Sequence, residues 1–245
     1  MIGDLLTVLW KERRSLAGGR ARRQLLLTGG IMLFYAFLFP IQMGRDWVTD
    51  PVPVGILAIV LPMILVGVIV PDAIAGERER RTLPTLLATR LPDRAILYGK
   101  LAFGVGLGWL AVPVMLVVSL IAVNVAAGAG LLLYDPGLVL GSLVLALLLG
   151  TLTGGIAIFV SLRARTAQEA QQLTVVGLML PMMVVGLGLT LAITNEGFRR
   201  NLIDLLGGID MLGVALAVMA LIAVADVAVI AAADRRFRRG RLISS

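Results

Sequence analysis

The sequence contains no cysteine and no histidine. Those two absences exclude thiol nucleophiles, disulfides, thiolate and imidazole metal sites, and imidazole acid–base chemistry. A haem held by a Cys or His of this chain is excluded with them. Charge is scarce as well: Asp, Glu, Lys and Arg make up 15% of the 245 residues, against about 25% in a soluble domain. No Gly-x-x-x-x-Gly-Lys-Ser/Thr phosphate loop occurs anywhere in the chain, so it does not supply that ATP-binding element. No serine or aspartate constellation suggests an intramembrane protease or a lipid-headgroup transferase. No catalytic residues and no metal ligands are therefore expected. The N-terminus opens on a polar, basic stretch rather than a short apolar segment ending in small residues, so no cleavable signal is expected.

What the chain has in quantity is apolar surface. Hydrophobic residues reach 59%, against about 45–50% in soluble domains, and they are clumped into long runs. About 20 residues at roughly 1.5 Å each cross a hydrocarbon core of roughly 30 Å. The runs predict six spans, at about 25–43, 54–70, 101–126, 138–162, 173–193 and 211–233. The alternative is a large soluble helical core, which needs polar helix faces that several runs lack. Ahead of the spans, Ile2, Leu5, Leu6 and Leu9 share a helical face with Trp10 at its edge. Lys11, Arg13, Arg14, Arg20, Arg22 and Arg23 follow. Residues 1–23 thus predict an amphipathic helix in the membrane interface, with a frayed polar tail as the plainer alternative. The fold class is an all-α integral membrane protein with one transmembrane domain over 1–245.

Orientation follows from the placement of Lys and Arg. With six spans, both termini and loops 2 and 4 share one side. Of the 22 basic residues, Arg45, Arg199 and Arg200 alone fall on the other. The basic side is expected to be cytoplasmic, with both termini there. Five or seven spans would strand one basic terminus outside. Gly104 and Gly108, and Gly150 and Gly154, have the small-xxx-small spacing that lets helix backbones approach closely; packing within one subunit or between subunits would satisfy it. No internal repeat of the inverted-transporter kind is evident.

The densest polar feature is the stretch from Gly76 to Lys100, GERERRTLPTLLATRLPDRAILYGK. Glu77 to Thr89 mixes charge with Leu83, Leu86 and Leu87, which predicts an amphipathic helix. Pro84 either kinks it or marks its first turn, and Pro92 ends it. Asp93 is a suitable N-cap for the helix entering span 3. An interfacial helix with solvated charges is the plain alternative. This loop, and the later RTAQEAQQL of Arg165 to Leu173, resemble those of ABC-2 family ABC transporter permeases of the type V exporter kind. The order of elements is similar too: interfacial helix, two spans, charged loop, four spans.

The resemblance implies a transmembrane permease subunit of an exporter, working as a dimer of permeases in a bacterial or archaeal cell membrane. It implies a separate ABC ATPase that binds ATP and Mg, with no cofactor on this chain, no enzyme activity of its own and no nucleic-acid partner. The loop between spans 2 and 3 would be a coupling helix. The matching positions are Glu77, Arg78, Glu79, Arg80, Arg81, Thr82, Leu83, Leu86, Leu87 and Thr89. The leucines would fill a groove on the ATPase and the charges would set register. Spans 1, 2 and 5 would move about a central cavity. A haem-exporter-type subunit of cytochrome maturation, or a membrane scaffold or enzyme without an ATPase, are the rival readings.

Beyond the loops, Phe198, Leu202, Leu205 and Leu206 lie on one face within Asn195 to Asp210. They predict a short external re-entrant helix, against a plain loop. Asp226 sits inside span 6, where an ionisable group costs about 2.5–3.5 kcal/mol. It is either functional or a structural hydrogen-bonding group. Tyr35 and Phe39 on span 1, with Met179, Met182 and Met183 on span 5, are candidates to line a hydrophobic pathway, with packing or lipid contact as the alternative. A largely uncharged set of spans argues for a hydrophobic or amphipathic substrate.

Overall fold

A computed structural model describes residues 2–16, 19–82, 89–127, 130–197 and 211–236. Among the described residues it is all helical. The elements are α1 (Ile2–Leu16), α2 (Gly19–Met43), the single turn α3 (Asp46–Thr49), α4 (Pro51–Glu79), α5 (Asp93–Ala127), α6 (Pro136–Ser161), α7 (Ala167–Thr194) and α8 (Met211–Arg236). Among the described residues, five stretches are long and apolar enough to cross a membrane: Leu25–Met43, Pro51–Glu79, Asp93–Ala126, Pro136–Ser161 and Ala215–Arg236. The fifth expected span, 173–193, coincides with α7, a 28-residue helix whose side chains are only partly described and which is not among these five. The expected re-entrant helix falls on residues 198–210, outside the described residues.

Local chemistry starts the spans where it should. Asp50 and Asp135 each precede a proline, and each side chain accepts the backbone N–H of the first turn, from Val52 at 2.9 Å and Leu138 at 3.1 Å. A proline in the first turn has no N–H to leave unsatisfied, so Asp-Pro is a compact start signal. At the other ends, α4 and α5 outrun the spans expected from hydropathy. α4 continues nine residues past Val70, through Pro71 to Glu79, and α5 begins at Asp93 rather than near 101. Hydropathy did not reveal this, because charged residues interrupt the added turns, which are held by polar contacts and by buried residues such as Ile74, Ile96 and Leu97. Lengths of 29 and 35 residues correspond to roughly 44 and 52 Å, well beyond a hydrocarbon core of about 30 Å. Both helices are therefore longer than a crossing of the hydrocarbon core requires.

The extension of α4 also revises the expected coupling helix. Glu77, Arg78 and Glu79 form the last turn of α4, Arg80 to Thr82 turn away, and Thr89 to Leu91 bend. Residues 83–88, including Leu83, Leu86 and Leu87, lie outside the described residues.

α4 is the central helix, packed against α2, α5, α6 and α7. Val66, Val70 and Ile74 of α4 meet Leu101 and Val105 of α5 and Ala157 and Ile158 of α6 in one buried cluster. A second, toward the opposite end, joins Met32 and Ala36 of α2 to Ala58, Leu61 and Leu65 of α4 and to Val112 and Met115 of α5. Both glycine pairs serve this packing inside the subunit. A Cβ on Gly108 would stand 2.7 Å from Val66 Cγ2 and 3.3 Å from the Pro62 backbone. One on Gly154 would stand 2.5 Å from Leu101 Cδ1. Such distances leave no room for a methyl group.

α6 and α8 run parallel: Val229 packs on Gly155, and the Arg236 guanidinium lies over the Phe159 ring at 4.3 Å. The end of the bundle holding α1, the end of α4, the start of α5, the α6–α7 loop and the end of α8 carries most of the basic residues, and is called the basic end below. At the opposite end, Tyr134 accepts from Trp47 Nε1 at 2.9 Å and bonds Ser119 at 2.8 Å. Asn124 clamps Leu132 through both its backbone groups, at 3.0 and 2.7 Å. Burial pushes the Tyr134 phenol pKa up, although both hydrogen bonds act against it.

Candidate functional site

The basic end is organised by four charges. Lys100, only 1% exposed, places its ammonium 2.7 Å from Glu12 Oε1, 3.0 Å from Glu77 Oε1 and 2.6 Å from the Ala73 carbonyl. Lys11 pairs with the same Glu77 oxygen and lies 3.5 Å from Glu12. Two cations and two carboxylates thus join α1, α4 and α5 with no net charge. A buried charge persists when it is paired and hydrogen-bonded, and Lys100 donates to Glu12 and the Ala73 carbonyl while forming an ion pair with Glu77. For Lys11, burial acts to lower the pKa, but the Glu77 hydrogen bond and the charges of Glu12 and Glu77 outweigh it and leave the value raised.

α1 reaches this collar because it has a second face. Val8, one turn before Glu12, is buried with its Cγ1 where a Cβ on Gly99 would be 2.6 Å away. Gly99 is thus the space into which α1 docks. Leu6 and Trp10 remain exposed on the other side, as an interfacial helix requires, and Arg14 stacks on Trp10 at 4.4 Å.

The expected coupling residues divide into those that hold the end of α4 and those that leave it. Glu77 is 7% exposed and belongs to the collar. Arg78 donates to the Leu162 carbonyl at 3.2 Å and the Ala164 carbonyl at 3.1 Å, satisfying acceptors left open at the end of α6. Glu79 accepts the Ala167 N–H at 3.2 Å, at the start of α7. Arg80 pairs with Asp72 at 2.8 Å, one reason Asp72 belongs to this end. Arg81 takes a left-handed φ of 57°. With Thr82 N donating to Glu77 O at 2.9 Å and Arg81 N to Arg78 O at 3.0 Å, this is a Schellman stop, made with arginine where glycine is usual. Thr82 and Thr89 flank the segment outside the described residues. Arg78 and Glu79 thus clasp the segment's root to the α6–α7 loop. That loop begins α7 with Thr166 accepting the Glu169 N–H at 3.1 Å and Glu169 accepting the Arg165 N–H at 2.8 Å, a capping arrangement.

The pathway candidates lie apart from the collar. Tyr35 and Phe39 stack at 5.4 Å between ring centres and line a groove of about 640 Å³ between α2 and α4, whose floor includes Met32, Leu57 and Leu61. Thr28, Trp47 and Asp50 supply its few polar atoms. Met179 and Met183 are exposed on α7, and the Met182 side chain lies outside the described residues. Asp226 is 5% exposed, and its Oδ1 has no hydrogen-bond partner among the described residues. Asp226 shares a face with Val229 and Ala233, the residues that pack on α6 and the core, so it points into the bundle rather than to lipid. No group of three acidic residues able to hold a metal occurs among the described residues.

A sequence profile of ABC-2 family transporter proteins matches residues 18–207, from the foot of α2 to just before α8. The chain belongs to the ABC-2 family. No curated protein matches its sequence. As an ABC-2 protein it is a multi-pass membrane protein and a permease subunit of an ABC transporter. The family generally pairs such subunits with an ABC ATPase. The match begins after α1, so the collar residues Lys11 and Glu12 lie outside it, while Glu77 and Lys100 lie within. Sequence reasoning missed the collar. The available signal was Lys100 itself, a lysine set directly against the apolar run that begins at Leu101.

Proposed function

We propose that this ABC-2 permease is half of a dimeric exporter, driven by a separate ATPase that docks on its basic end. That end faces the cytoplasm of a bacterium or archaeon, α7 is the fifth of six spans, and Asn195 to Asp210 lies outside. ATP and Mg act on the ATPase, and this chain binds no cofactor. The observation that carries the reading is the clasp of Arg78 and Glu79 on the α6–α7 loop. A displacement of residues 80–89 would be felt at once by α4, α6 and α7, and through the collar by α1 and α5.

The coupling step would then be mechanical. Leu83, Leu86 and Leu87 engage the ATPase, and its ATP-driven closure moves the end of α4 as a lever. The groove between α2 and α4, apolar with Tyr35 and Phe39 on its wall, suits a hydrophobic or amphipathic cargo. Met179, Met182 and Met183 would face the same path from α7. The test is affinity purification with the ATPase co-expressed. The wild-type chain should retain it, and Leu83, Leu86 and Leu87 changed together to Asp should release it while the permease stays folded. Retention of the ATPase with normal activity by the triple variant would refute the docking role.

A further inference from the structure

A second cavity, of about 480 Å³, opens between the start of α5 and the end of α8, and shares no lining residue with the α2–α4 groove. Its lining is divided. Val227, Ile230 and Ala231 form an apolar wall, and Arg94, Tyr98, Asp234 and Arg235 form a polar floor. On α8 these residues fall at i, i+3, i+4, i+7 and i+8, one helix face. Eight residues of helix separate the Val227 ledge from Arg235, about 12 Å. That is the depth over which a phospholipid passes from acyl chain to phosphate.

Three features set the chemistry of the occupant. Above Val227 the outer surface of α8 stays apolar, with Leu221 and Val224 each about two-thirds exposed, so an acyl chain leaving the cavity would lie on a continuous apolar track. Arg94, 69% exposed, is held in place by Asp234, with Nη2 to Oδ2 at 3.1 Å and Nε to Oδ1 at 3.3 Å. Its remaining N–H groups stay available to an anion. Arg235 makes no ion pair, and the Tyr98 hydroxyl no hydrogen bond, among the described residues. Among the described residues the floor therefore carries a net positive charge and a hydroxyl without a hydrogen-bond partner at the mouth of the cleft. Basic pockets between helices at that level select anionic headgroups.

We infer that the α5–α8 cleft is a binding site for an anionic phospholipid, with the phosphate on Arg235, Arg94 and Tyr98 and one acyl chain along Val227 and Val224. The lipid would staple α8 to the bundle. α8 leans mainly on α6, and near the basic end the Arg94–Asp234 pair ties it to α5.

The test is native mass spectrometry and thermal unfolding of the purified chain in detergent, titrated with phosphatidylglycerol or phosphatidylcholine. The wild type should retain phosphatidylglycerol preferentially and melt higher with it. Arg235→Ala should weaken that binding about fivefold, since one basic residue near the surface contributes about 1 kcal/mol to anionic-lipid attraction. Ala231→Trp, which fills the cleft from an exposed position without touching a charge, should abolish it. Both variants should unfold like the wild type when no lipid is added. Equal binding of the two lipids, unchanged phosphatidylglycerol binding by both variants, or equal stabilisation by free glycerol phosphate would overturn the assignment. None of these outcomes depends on an ATPase, so they stand apart from the transport reading.

Discussion

Lys100→Met is the most informative single change. Lys100 is 1% exposed, and its ammonium holds Glu12, Glu77 and the Ala73 carbonyl together. Methionine follows the aliphatic stem of the side chain as far as Cε, so most of the packing is kept and the charge removed. Two buried carboxylates then share Lys11 alone, whose side chain is 40% exposed. Removing one partner of a buried pair costs about 3–5 kcal/mol, much of it the penalty on the carboxylate left behind. Adding Glu12→Gln restores neutrality, since Lys11 and Glu77 remain as one pair. The double variant should therefore be more stable than Lys100→Met, with a coupling energy of about 1–3 kcal/mol. The assay is reversible unfolding in mild detergent of the four proteins of the cycle. A single variant within about 1 kcal/mol of wild type, or strictly additive effects, would show that the collar is solvated and that α1 is not anchored through it.

Three further outcomes follow from the same geometry. Arg81→Gly relieves a left-handed φ of 57° and should raise stability by about 1 kcal/mol; if Arg81 also sets register on the ATPase, the gain comes with weaker ATPase retention, and a loss of stability would contradict the stop motif. Gly108→Val and Gly154→Val should each cost about 1–3 kcal/mol by overpacking against Val66 and Leu101, whereas Gly106→Ala, with nothing within 4 Å, should be neutral in the same melts. Tyr134→Phe removes the hydroxyl shared by Trp47 and Ser119 and should cost about 1–3 kcal/mol, read as destabilisation and as a change in Trp47 fluorescence.

The helical class and the place of the helices were legible because lipid imposes one simple demand, an apolar run of sufficient length. What hydropathy could not show was where α4 ends. The stretch from Pro71 to Glu79 mixes buried apolar residues, Ile74 among them, with charges, and its last turn is held by Glu77, Arg78 and Glu79, which find partners 23 to 88 positions away in the chain. The dual nature of α1 was hidden for a related reason. Ile2, Leu5, Leu6 and Leu9 announce a membrane face, but the docking face is one valine and one glutamate, Val8 and Glu12, and its complement is a glycine, Gly99. The family resemblance implies that the charges from Glu77 to Arg81 act together in setting register on a partner; within the chain the fold gives Glu77, Arg78, Glu79 and Arg80 different partners.

The absence of cysteine makes the central claim directly measurable. A single cysteine introduced at Thr89, beside the segment proposed to dock, can carry a short photo-crosslinker without background from the rest of the chain. In membranes containing the co-expressed ATPase, Thr89→Cys should crosslink to the ATPase, with a yield that changes on adding ATP, while Asn195→Cys at the far end of α7 should not. Crosslinking from Asn195 instead, or no crosslink from Thr89 in a complex that hydrolyses ATP, would contradict an ATPase seated on the basic end.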